Sequence, residues 1–158
     1  MSAGETAGGR SSVGSATDRR KSAHGLGRIV IAAFWLFSAW VTYTSVSDYI
    51  HFPQEPIGPR MVSVLAAAGY IAAATALTHN GRRMRIIGWS ATGFEFAGAL
   101  ITGFVGIGVE EIGAIRSVWG NFGAEYYYLP LLLPILGLIW LWWSDPRRIV
   151  EISERLEF

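Results

Sequence analysis

The chain has 158 residues, 51% of them hydrophobic, with a net charge of +1 and no cysteine. The absence of cysteine excludes disulfides, thiolate metal ligands and thiol catalysis, and a charge near zero makes no general case for nucleic acid. The apolar residues are gathered into runs rather than spread at amphipathic spacing, which sets the bilayer as the main solvent.

Residues 1–26 are rich in Gly, Ser, Ala and Thr and poor in large apolar groups. They bury too little surface to offset the entropy of ordering, so a disordered, basic cytoplasmic tail is expected. Arg19, Arg20, Lys21 and Arg28 act there as a topogenic cluster, with a tether to anionic lipid as the alternative. The first apolar run, 29–47, is too long for a signal-peptide core and ends in Ser47, Asp48 and Tyr49 rather than a small-x-small cleavage pattern. An uncleaved anchor is expected.

Loop one, 48–60, carries Pro53, Pro56 and Pro59 at the three-residue period of polyproline II, a stiff connector in its simplest role. The second run, 61–78, is mostly alanine around Gly69 and Tyr70, a composition that suits close packing inside a bundle. The third, 86–106, is studded with Gly88, Gly93, Gly98, Gly103 and Gly106. Loop two, about 109–124, repeats Ile112, Ile115, Trp119 and Phe122 on one helical face, which predicts a short interfacial amphipathic helix. The fourth run, 126–143, holds Pro130 and Pro134, tolerated where neighbours satisfy the carbonyls they free. Tyr126, Tyr127 and Tyr128 at one end and Trp140, Trp142 and Trp143 at the other supply aromatic belts. In 145–158, Asp145 and Pro146 start a cytoplasmic amphipathic helix with Ile149, Ile152 and Leu156 on one face.

Each run is long enough, at 1.5 Å per residue, to cross roughly 30 Å of hydrocarbon. The expected fold is an all-α membrane protein, a four-transmembrane-helix bundle over 27–144. The connecting segments on one side hold eleven of the cations, and those on the other hold only Arg60 and Arg116. The positive-inside bias puts both termini in the cytoplasm of a cell with the protein in its plasma (inner) membrane.

Glu95 lies ten residues beyond Arg85, near the middle of the third run. Facing lipid as a charge it would cost about 2.5–3.5 kcal/mol, so it must face protein. Gly88, Thr92, Gly98, Ala99 and Thr102 share its helical side, while Trp89, Phe94 and Phe104 flank or oppose it. Depth matching offers Ser38 on the first span and Tyr70 on the second as hydrogen-bond partners. Two roles fit: a protonated carboxyl that clips helices together, or a group that exchanges protons or meets a cationic substrate.

Other constellations are weaker. His51, Asp48, Glu55, Glu110 and Glu111 hold the right atoms for a divalent cation but lack ligand spacing, and solvated loop charges account for them. His79 fits a helix terminus. No phosphate-cradling loop, nucleophile elbow or paired-His signature occurs. No metal, cofactor or nucleic acid is expected, and no catalysis.

The basic tail, the four spans and the Tyr127–Leu131 entry to the last one resemble small four-span integral membrane proteins of high-GC Gram-positive bacteria. That likeness covers about 27–148, concerns layout, and implies a fold without functional residues. The layout also looks like that of the small multidrug-resistance transporters, four-helix proteins with one membrane glutamate, carried there by the first helix and here by the third. The leading functional expectation is a non-catalytic accessory or interaction subunit whose partner is another membrane protein or a second copy of the chain. The alternative is a small proton-linked transporter centred on Glu95.

Overall fold

The computed structural model describes residues 21–54, 56–79, 81–109 and 116–145. Every regular element among them is helical: α1 (Lys21–His51), α2 (Ile57–Thr78), α3 (Arg82–Gly108), a short 3-10 segment (Gly120–Tyr126) and α4 (Leu129–Trp143). The first three are long and apolar enough to cross a membrane, and the 3-10 segment with α4 makes a fourth span if the two are counted together across a 98° bend.

The helices outrun the apolar cores that predict them. The first begins at Lys21, inside the stretch expected as tail, and continues to His51, while the second starts at Ile57. Loop one therefore shrinks: Pro56 (φ −55°, ψ 140°) has polyproline II angles, and Pro59 enters the first turn of α2. A proline is tolerated that early because the first helical N–H groups lack intrahelical partners. The remainder of the tail, 1–20, and the expected C-terminal helix beyond Asp145 lie outside the described residues.

Consecutive helices pack side by side, and α4 closes against both α3 and α1. The alanines of α2 do what small side chains do in a membrane interior: Ala66, Ala73 and Ala74 are fully buried and let α1 and α3 approach closely. Bulky groups such as Leu36, Ile101, Phe104 and Leu132 stay exposed, as a surface solvated by lipid requires.

The fourth run departs most from expectation. Its α-helix begins only at Leu129, after the 3-10 segment ends at Tyr126, and its 15 residues reach about 22 Å, short of a full crossing. Pro134 explains part of the packing. It has no N–H to offer the Pro130 carbonyl one turn earlier, and the Tyr70 hydroxyl of α2 supplies the missing donor at 3.0 Å.

Candidate functional site

Loop two folds back into the bundle. From Arg116 the described chain is turn and then 3-10 segment, with Val118 fully buried and Trp119 6% exposed, rather than an interfacial helix showing one face to water. The Ile112 and Ile115 part of the expected helix lies outside the described residues. The reversal needs backbone that periodicity does not reveal: Asn121 (φ 47°), Phe122 (φ 60°) and Gly123 (φ 77°), then Tyr127 (φ 55°) and Tyr128 (φ 59°), are left-handed. Only glycine adopts that region freely, and other residues pay on the order of 1 kcal/mol or more each, so tertiary contacts must hold the turn.

Those contacts run along α3. Gly98 receives the Trp119 indole, and a Cβ there would lie 2.8 Å from three of its ring atoms; Gly103 receives the Phe122 ring in the same way. Phe94 meets the other side of Trp119 edge-on, with centroids 5.3 Å apart. The Thr102 hydroxyl lies 2.7 Å from the Trp119 carbonyl oxygen and 2.8 Å from that of Gly98, donating between them. From the opposite side, Tyr126 and Thr44 of α1 join hydroxyls at 3.0 Å, the Tyr126 O–H donating because the Thr44 proton goes to the Val41 carbonyl.

Glu95 lies about one turn before Gly98 on α3, fully buried. Its Oε2 accepts the Trp119 indole N–H at 2.9 Å. Its Oε1 lies against Gly69 of α2, where any side chain would collide with it, and has no hydrogen-bond partner among the described residues. Tyr70 is within electrostatic reach of the carboxyl, but its single proton is directed to Pro130, which leaves Oε1 without a donor. Phe34 and Phe37 crowd the Tyr70 ring, the latter edge-on at 4.8 Å. One turn before Glu95, the buried Thr92 hydroxyl also lacks a partner among the described residues.

Of the three residues that sequence reasoning grouped, Glu95 and Tyr70 come together and Ser38 does not join them. The Ser38 hydroxyl turns back to the Trp35 carbonyl at 3.0 Å, a local bond within α1. The residue sequence reasoning missed is Trp119. Its signal was present in Gly120, Asn121 and Gly123, which favour a tight left-handed turn over a helix. Comparison with protein-family models, curated proteins and solved structures finds no match to this chain.

The outer-loop cation reading gains no geometry. No group of three metal-ligating side chains forms among the described residues, and Glu55, Glu110 and Glu111 lie outside them. The His51 Nδ1–H donates to the Ser47 carbonyl at 2.8 Å, and the His79 Nδ1–H to that of Thr75 at 3.0 Å, as a ring at a helix C-terminus does.

Proposed function

We propose that this protein is a non-catalytic, multi-pass integral membrane protein, an accessory or interaction subunit, in which Glu95 clasps the re-entrant segment so that a shaped surface stands at the outer end of the bundle. The bond from the Trp119 indole to Glu95 carries this reading: a fully buried acid is joined to a loop rather than to a cation or an open passage. The surface so held includes Asn121, Glu125, Tyr127 and Tyr128, all exposed. Holding several side chains on left-handed backbone is costly, and a defined surface for a membrane-protein partner or a second copy gives that cost a purpose. The positive-inside asymmetry orients this surface outward, with both termini in the cytoplasm of the plasma (inner) membrane.

A second reading, a small proton-linked transporter, draws on the unpartnered Glu95 Oε1 and Thr92 Oγ1. It also draws on a cavity at the opposite end that reaches Ala76 and Leu141, the residues flanking Gly88 two turns from Glu95. Substitution separates the two. Glutamine at position 95 still accepts the indole N–H but carries no proton for exchange. An accessory subunit keeps its stoichiometric partner through mild-detergent purification in Glu95→Gln and loses it in Glu95→Ala. Loss of pH-dependent substrate binding in Glu95→Gln, with the loop still closed, overturns the accessory role in favour of transport.

A further inference from the structure

At the end of the bundle away from the re-entrant loop, the starts of α1 and α3 and the ends of α2 and α4 enclose a cavity of ≈ 530 Å³. Its walls are apolar, from Ile31, Leu77, Trp140 and Trp143, and its polar lining comes from Arg28, Thr78, His79, Arg85 and Ser144. Gly27 keeps the Trp140 wall in place, since a Cβ there would meet the indole.

The charge at this end is unbalanced. Arg28, Arg82, Arg83 and Arg85 stand against one acid, Asp145, among the described residues here. Arg85 is committed to the fold: its guanidinium donates to the Ser144 carbonyl at 2.7 Å and that of Leu141 at 2.9 Å, and lies 3.7 Å from the Asp145 carboxylate. It thereby caps the carbonyl end of α4 while still lining the cavity. Arg28 is exposed and makes no hydrogen bond or ion pair among the described residues. Trp143 has a second role, walling an apolar groove of ≈ 380 Å³ with Trp89, Leu138, Ile139 and Trp142 on the lipid side of α4.

We infer that this cavity binds an anionic phospholipid of the adjacent leaflet, its phosphate between Arg28 and Arg85 and an acyl chain against Trp143. A soluble anion has no use for walls of Ile, Leu and Trp, and a zwitterionic lipid leaves the cationic excess unanswered. An anionic headgroup on an apolar chain matches both. Arg28 is the free charge of the pair, so it carries the discrimination, and its substitution does not disturb the cap that Arg85 forms.

Native mass spectrometry of the purified full chain tests the site, with phosphatidylglycerol and phosphatidylcholine offered in equal amounts. The expected result is retention of phosphatidylglycerol over phosphatidylcholine, reduced about fivefold by Arg28→Gln, the effect of one interfacial cation. Arg83→Gln, at the same end but not lining the cavity, should leave retention unchanged. Equal retention of the two lipids overturns the proposal, and so does an equal loss in both variants, which would mean attraction by surface charge alone.

Discussion

The two ends of the bundle are closed by opposite means. At the loop end, Gly98 and Gly103 of α3 are notches filled by Trp119 and Phe122, and Glu95, Thr102 and Thr44 tie the inserted segment in place. At the basic end, Gly88 on the same helix has only ordinary contacts, with Leu141 and Ala76 at 3.5–3.6 Å, and a cavity remains between the helix ends. The same residue type thus does two jobs in α3: near the loop it makes room for an aromatic ring, and near Arg85 it lets helices pack. One end is filled by the chain's own rings, and the other is left open between the helix ends.

The sharpest break between the ends comes from filling a notch. Gly98→Val puts branched carbon where the Trp119 ring lies and should cost about 3 kcal/mol, the upper part of the range for overpacking. A reporter at Val118→Cys, buried in the parent, should then react with a membrane-impermeant maleimide. Trp119→Phe keeps most of the ring but deletes the donor, leaving both Glu95 oxygens bare; a loss of about 2 kcal/mol is expected in mixed-micelle unfolding. Tyr70→Phe frees the Pro130 carbonyl that Pro134 cannot serve and should cost about 1 kcal/mol, read as a lower melting temperature without release of the Val118 reporter. Gly88→Ala, the counterpart of the first change at the basic end, should stay within about 0.5 kcal/mol of the parent, because a methyl group fits there and alanine favours helix. A large loss at Gly88 would remove the contrast between the ends.

The long helices were legible because a crossing segment has one strong requirement, an apolar run near 20 residues, and the runs beginning at Ile29, Met61 and Ile86 meet it. Burial of Glu95 was legible for the same reason, as an ionisable group within such a run has only the protein interior to face. Its partner was not. Depth matching compares spans with spans, so it proposed Ser38 and Tyr70, whereas the donor arrives from a loop whose 3.6-residue apolar spacing imitates a surface helix. The spacing of Trp119 and Phe122 reflected two rings fitting Gly98 and Gly103, which are themselves spaced along a helix. The shortened α4 was hidden likewise: Tyr126–Tyr128 extend the apolar run, but the left-handed backbone at Tyr127 and Tyr128 delays the start of the helix to Leu129.

Glu95 and Trp119 hold the inserted segment as a pair, joined by the indole N–H. A double-mutant cycle of Glu95→Ala, Trp119→Phe and their combination, followed by unfolding free energy in mixed micelles, measures that pairing directly. The pair predicts a coupling of about 1 kcal/mol or more, with the second substitution costing little once the first is made. Additive losses, within about 0.3 kcal/mol, would show that the indole and the carboxyl act independently and would contradict it.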